Sequence, residues 1–229
     1  MKKITVLIPV YNELNTFLQL LKKVETTDYC GLEKEIIIID DYSTDGTREL
    51  YKEIPYKVIL HEYNQGKGAA LRTGFKAATG DIIIIQDADL EYNPEDYNLM
   101  LPLILEDKAD VVFGSRLANK ENLKNFLPLS LIANKTLTFI TNILFNVKLT
   151  DLETCFKALK KEYADKVEIT SNRFDFEPEI TVKVLKAGAR LKEVPISYNG
   201  RIYDEGKKVT WKDGLHAILV LFKFKFFSK

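Results

Sequence analysis

The sequence lacks net charge: lysine and arginine together number 33, and so do aspartate and glutamate. That balance argues against a nucleic-acid partner, which calls for a general basic field. Histidine is scarce, and His61 and His216 are too few and too scattered for a zinc site. The two cysteines, Cys30 and Cys155, lie far apart, and Met1-Lys2-Lys3 leads straight into an apolar run without a signal-peptide pattern. The expectation is a cytoplasmic protein with two reduced thiols. No apolar stretch approaches the roughly 20 residues of a membrane helix, so the chain is not expected to span a bilayer. Peripheral contact with the inner face of a membrane stays open. The first strand ends in Pro-Val-Tyr-Asn-Glu rather than G-x-G-x-x-G, which disfavours a dehydrogenase, and no G-x-G-T-R loop of a nucleotidyltransferase precedes the first helix. Internal repeats, low-complexity tracts and Pro/Gly-rich linkers are also missing.

What is there is an ordinary globular composition, 46% apolar and 29% charged over 229 residues, enough for one large α/β domain or two small ones. The chain is organised around Gly80 to Tyr92. Ile82, Ile83, Ile84 and Ile85 read as a strand buried on both faces, as in a parallel sheet covered by helices. Asp87, Asp89 and Glu91 follow at its carboxyl end, where open α/β sheets bind ligands. Asp87 and Asp89 can converge on one hard cation that shares its other positions with water and phosphates; the alternative is an acidic turn before the next helix.

Other strands end the same way. Ile4 to Val10 runs into Tyr11-Asn12-Glu13 and a helix. Glu35 to Ile39 runs into Asp40-Asp41, with Thr44 or Asp45 suited to cap a following helix. Tyr56 to His61 precedes Asn64-Gln65-Gly66-Lys67-Gly68, where a helix start between glycines reads either as a phosphate contact or as a plain tight turn. Asp110 to Gly114 ends at Ser115-Arg116. Strands alternating with helices predict a doubly wound, Rossmann-like, mostly parallel sheet with helices on both faces.

The second half changes character. Ile132, Thr136, Phe139, Ile140, Ile143 and Val147 share a helical face, which either packs on the sheet or contacts lipid. Phe176 to Ala187 reads as a helix with Glu177 and Glu179 near its start, and Arg190 to Tyr198 as a strand. Gly200 to Lys208 is a basic loop. Trp211 to Phe227 is an amphipathic helix whose aromatics beside lysines suit an interfacial anchor, a dimer contact or docking on the core. From Gly200 to Lys229, seven basic residues stand against three acidic ones, so an electrostatic partner is expected there.

Taken together, PVYNE at Pro9 to Glu13, IDDYSTDGT at Ile39 to Thr47, NQGKGAALRTG at Asn64 to Gly74, QDADLEY at Gln86 to Tyr92, GSR at Gly114 to Arg116 and EVPISYNGR at Glu193 to Arg201 resemble the inverting GT-A glycosyltransferases of family two. The branch resembled is the one of dolichyl-phosphate-mannose synthases. The resemblance spans nearly the whole chain. It implies a single GT-A domain over residues 1–229, with a nucleotide-sugar-binding half (1–116) and an acceptor-binding half (117–229).

By that resemblance Pro9, Tyr11, Glu13 and Asp41 line the nucleotide pocket, with Lys67 close to it. Asp87-Ala88-Asp89 is the D-x-D that holds Mg²⁺ or Mn²⁺ on the diphosphate of a UDP- or GDP-linked sugar, and Glu91 adds either a metal ligand or an acceptor for a sugar hydroxyl. Arg116, Arg201 and Lys207, with Lys208, face phosphates. The segment from Asp151 departs from the branch pattern D-x-x-S/T-G-F-R, with Cys155 for glycine and Lys157 for arginine, and lysine cannot form the planar arginine fork.

The implied reaction moves a hexose, with inversion, to a polyprenyl phosphate, whose anionic oxygen needs no general base. The alternative acceptor is a hydroxyl of a glycan or glycolipid, for which Asp151, Glu177 and Glu179 are the candidate bases. A non-catalytic scaffold that binds nucleotide or membrane is the remaining class. Oligomeric state is open.

Overall fold

The Ile82–Ile85 run sits in the middle of a seven-stranded sheet and is sealed on both faces. The computed structural model describes residues 1–200 and 211–226; Arg201, Lys207 and Lys208 lie outside the described residues. The strands are β1 (Lys3–Val10), β2 (Glu33–Asp40), β3 (Lys57–Leu60), β4 (Ile82–Ile85), β5 (Val111–Ser115), β6 (Lys157–Lys160) and β7 (Leu191–Pro195). Their spatial order is β3-β2-β1-β4-β6-β5-β7, and every neighbouring pair is parallel except the two that involve β6. The expected α/β sheet is therefore present, and β6 wedges residues of the second half between strands of the first.

Period-two alternation divides the apolar residues between two cores. Ile4, Val6, Ile8, Ile36, Ile38, Ile82 and Ile84 pack under α1 (Phe17–Thr26) and α3 (Tyr97–Leu105). Leu7, Ile37, Ile39, Ile83 and Ile85 pack under α2 (Lys67–Ala77), α5 (Lys161–Lys166) and α6 (Phe176–Lys186). A third cluster joins α4 (Pro128–Phe145) and α7 (Trp211–Phe226) through Leu137, Leu152, Val182, Leu221 and Phe224.

The second-half helix packs on α7 and α6 rather than on the sheet, and most of the face read from Ile132 to Val147 is open to solvent. Leu137 and Thr141 of α4 are buried, while Leu129, Ile132, Phe139 and Ile143 are 61 to 82% exposed. No α-helix follows Asp45; a 3₁₀ helix, Thr47–Glu53, does. Its cap is Gly46, and the Asp45 carboxylate instead ties the N–H of Thr47 (3.0 Å) to that of Leu14 (3.1 Å).

At the Gly66-Lys67-Gly68 loop both glycines have a structural reason. The first turn of α2 abuts the chain at 171–173, and Ala69 N–H donates to the Asn172 carbonyl at 3.2 Å. A Cβ on Gly66 would lie 2.3 Å from the Asn172 carbonyl oxygen, and one on Gly68 would lie 2.4 Å from that of Ser171. Gly66 also has φ +97°, where an L side chain is strained. These glycines serve a close approach of two backbones. Gly66→Ala and Gly68→Ala are each expected to lower stability by about 2 to 4 kcal/mol in urea unfolding; Gly31→Ala, at an open position, is expected to lose less than either.

Candidate active site

The acids at the strand ends are occupied in different ways. Asp41 is 3% exposed and accepts from the N–H groups of Gln65 (2.9 Å) and Gly66 (2.7 Å), and it pairs with His61 Nδ1 at 2.8 Å. The far ring nitrogen of His61 meets Thr73 Oγ1 at 3.0 Å. Asp41 therefore fixes the loop before α2. Three protein partners share its carboxylate, which has about four acceptor positions. Asp40 is likewise filled, by Ser43 N–H, Arg48 Nε and the Tyr51 hydroxyl. Pro9 pairs with Ile39 in the register of β1 on β2, one position before its last pair, Val10 with Asp40. Tyr11 and Glu13 follow it, and the Glu13 carboxylate takes the Thr16 hydroxyl at 2.8 Å at the start of α1.

At the end of β4, Asp87 binds the Lys67 ammonium through both oxygens, at 2.6 and 2.8 Å. Lys67 also lies 3.8 Å from Glu177 Oε1 on α6. Burial works against the Lys67 charge, and the Asp87 carboxylate more than offsets it, so its pKa is raised. Ala88 is buried, and Asp89 turns back to accept the Glu91 N–H at 3.1 Å. Glu91 itself accepts from the Tyr198 hydroxyl at 3.0 Å, which draws it toward β7.

A second ionic group lies beneath. Lys157, fully buried on β6, donates to the Thr154 carbonyl and to Glu177 Oε2, and its ammonium stands 4.6 Å from the centre of the Phe113 ring. Here the lysine in place of arginine has a reason: a compact point charge fits between one carbonyl and one carboxylate. Glu153 adjoins this pair, with Oε1 sealed from solvent and without a donor. Burial, then the Glu177 charge, push the Glu153 carboxyl up to about 7.

Arg116 is held from three sides. Asp151 takes its backbone N–H (2.9 Å), Nε (2.8 Å) and Nη2 (2.8 Å), and the guanidinium lies 5.2 Å from the ring centre of Tyr198 and 5.4 Å from that of Phe126. Asn134 of α4 fills the remaining side of Asp151 at 2.6 Å. Burial raises the Asp151 pKa and the Arg116 charge lowers it further, to a net depression. An acid with four donors and a lowered pKa is a poor proton acceptor, so Asp151 is a positioning residue for Arg116 rather than a base. Glu179 is excluded on the same ground, since Thr170, Ser171 and Lys183 donate to it.

Sequence reasoning missed Glu153, Lys157 as partner of Glu177, Tyr198 and His61. Glu153 and Lys157 stand in the departing segment, but their link to Glu177 spans a turn and a helix start that no spacing encodes.

The donor set suits a divalent cation. Asp87 and Asp89 offer hard oxygens two residues apart, and Mg²⁺ or Mn²⁺ completes such a pair with phosphate and water oxygens. Among the described residues no group of three or more His, Cys, Asp and Glu converges as a self-sufficient metal site. Lys67 and Lys157 balance Asp87 and Glu177, and Asp89, two residues on from Asp87, adds a further carboxylate for a cation.

Glu153 makes stability depend on pH. Its folded-state pKa of about 7 lies above the ordinary 4.5, so the folded protein keeps a proton that the unfolded chain has released. The stabilisation is complete below pH 4.5 and is lost as the pH rises through 7, by up to about 3 kcal/mol. Relative to wild type, Glu153→Gln is expected to melt higher at pH 8 than at pH 5; an equal offset at both would contradict this.

Comparison with known proteins gives the family and the fold. The sequence profile described as glycosyl transferase family 2 matches residues 5–168. An uncharacterised protein of Methanocaldococcus jannaschii is 33% identical over 96% of this chain and 90% of its own length. A UDP-N-acetylglucosamine–dolichyl-phosphate N-acetylglucosaminyltransferase of Methanococcus voltae is 31% identical over 85% of each chain. The dolichol-phosphate mannosyltransferase of Pyrococcus furiosus is 30% identical over 90% of this chain, which spans 59% of that enzyme. Among solved structures, glucosyl-3-phosphoglycerate synthase of Mycobacterium tuberculosis, crystallised with Mn²⁺, UDP and glucosyl-3-phosphoglycerate, superposes with TM-score 0.76 at 18% identity, over 97% of this chain and 80% of that one. The fold is that of the GT-A glycosyltransferases, and the chain belongs to glycosyl transferase family 2.

Proposed function

We propose that this protein transfers a hexose from a UDP- or GDP-linked sugar to a polyprenyl phosphate at a membrane surface, with Mg²⁺ or Mn²⁺ held by Asp87 and Asp89. The observation that carries the reading is the double character of α4. Its inner face gives Asn134 to the Asp151–Arg116 pair, and its outer face presents Leu129, Ile132, Phe139 and Ile143 to solvent. One helix thus joins a buried arginine suited to a phosphate with an apolar surface suited to a lipid. Leu219, Phe222 and Phe226 of α7 are exposed as well. A groove of about 310 Å³ runs along α4 between Leu117, Lys135, Phe139 and Thr150, and Thr150 adjoins Asp151. No helix among the described residues is long and apolar enough to cross a membrane, which is compatible with attachment from one side. The names of the M. voltae and P. furiosus relatives, both acting on dolichyl phosphate, support the same acceptor class.

In this reading residues 1–116 hold the donor and residues 117–229 the acceptor, with Arg116 at the boundary turned to the acceptor side. A divalent cation bound at Asp87 and Asp89 would neutralise charge developing on the leaving nucleoside diphosphate. Lys67 lies against Asp87 and adds a second positive charge close to that position. Arg116, fixed along its Nε–Nη2 edge by Asp151, keeps its other edge for the acceptor phosphate, whose anionic oxygen attacks the anomeric carbon from the face opposite the leaving group. Asp151 acts through Arg116, and no protein base is needed.

The test is radiolabelled transfer from UDP-glucose, UDP-N-acetylglucosamine and GDP-mannose to a short-chain polyprenyl phosphate in vesicles with MnCl₂. One donor is expected to label the lipid, with the product abolished by EDTA and reduced at least 100-fold in Asp89→Ala. The doubly substituted Phe139→Ser, Ile143→Ser protein is expected to keep its fold and lose at least fivefold in vesicle binding. Label appearing only in a water-soluble glycan would overturn the acceptor assignment.

A further inference from the structure

The chain leaving β7, Ile196 to Gly200, runs along the carboxyl end of the sheet and is tied on two sides. One side is the turn that carries Asp87 and Asp89 and the segment after it. Ser197 gives its N–H (2.8 Å) and its hydroxyl (2.6 Å) to Asp96, Asn199 N–H donates to the Glu91 carbonyl at 2.9 Å, and the Tyr198 hydroxyl donates to the Glu91 carboxylate at 3.0 Å. The other side is Arg116 and the 3₁₀ helix Lys120–Asn125. Asn122, buried in that helix, donates to the carbonyls of Arg116 (2.9 Å) and Ile196 (2.8 Å) and accepts Tyr198 N–H at 3.2 Å. Asn125 donates to the Tyr198 carbonyl at 2.7 Å.

Tyr198 joins these two sides through its own side chain. Its ring centre lies 5.2 Å from the Arg116 guanidinium, 4.9 Å from the Phe126 ring and 5.7 Å from the Tyr92 ring, while its hydroxyl ends on Glu91. A ring packed along its length and anchored at its tip holds a neighbouring cation in place without taking any of that cation's N–H groups. Asp151 fixes which edge Arg116 presents. Tyr198 fixes where that edge stands relative to the turn of Asp87 and Asp89.

That separation matters to a transfer between two bound phosphates. The attacking oxygen must lie about 3 to 3.5 Å from the anomeric carbon, and a misplacement of about 1 Å can cost about 100-fold in rate. We propose that Tyr198 is a positioning residue acting through Arg116: anchored on Glu91, it sets the acceptor phosphate at attacking distance from the sugar of the bound donor. This rests on the donor and acceptor assignments above.

The test compares Tyr198→Phe with wild type, using whichever donor labels the lipid. Phenylalanine keeps the ring and removes the hydroxyl, and the hydrogen bonds of Ser197, Asn199 and Asn122 still hold the main chain. The variant is expected to lose about tenfold in kcat, with KM for polyprenyl phosphate and calorimetric affinity for the bare nucleotide in MnCl₂ within about twofold of wild type. In a Glu91→Ala background, where the hydroxyl has lost its anchor, Tyr198→Phe is expected to cost nothing further. A wild-type kcat in Tyr198→Phe would overturn the proposal. So would a loss of nucleotide affinity matching the loss in kcat, which a disturbed fold produces, or a full loss persisting in the Glu91→Ala background. If wild type binds nucleotide but transfers no sugar to polyprenyl phosphate, the acceptor reading fails and this inference with it.

Discussion

Lys67 is the counter-charge of two carboxylates from different halves of the chain, Asp87 at the end of β4, 2.6 Å away, and Glu177 at the start of α6, 3.8 Å away. An ammonium in that position is costly to bury alone, and so are the acids around it. Each is tolerated because the others are present. Lys157 extends the arrangement to β6, the strand that runs antiparallel between β4 and β5. The site is thus assembled by charge where the topology brings the two halves together, and neither half contains it.

Around that core the chain separates what must be rigid from what must receive a ligand. Asp40, Asp41, Asp151 and Glu179 are saturated by protein donors and set the positions of loops and of Arg116. Tyr92 stacks on Phe156 at 5.4 Å and accepts the Cys155 N–H, which fixes the departing segment against the end of β4. Aromatic packing of this kind orients polar neighbours without consuming their hydrogen-bonding capacity. The helices α4 and α7 bury one face in their own cluster and leave large apolar side chains on the other. That surface matches an acceptor with a phosphate head and a lipid tail.

Much of this was legible in the residues. The four isoleucines followed by acids announced the central strand and its ligand-binding end, because period and burial are local properties. The parallel order of β1, β2 and β4 followed from alternation of strands and helices. Other roles were illegible for a physical reason. Gly66 and Gly68 suggested an anion cradle, yet their need arises from Asn172 and Ser171, about a hundred residues away in sequence. Asp151 read as a candidate base, whereas the hydrogen bonds it accepts from Arg116 and Asn134, invisible in the sequence, tie it to the arginine. Glu153 gave no signal at all, since an unpaired oxygen exists only once the fold excludes its donors.

The central claim, that Asp87 and Asp89 receive the metal and diphosphate of the donor, is tested most directly by crystals grown with Mn²⁺ and UDP, and separately with Mn²⁺ and GDP. An anomalous manganese peak beside these carboxylates, with the diphosphate of one nucleotide against it, is the result predicted. Nucleotide bound elsewhere, or manganese away from both acids, would contradict the account.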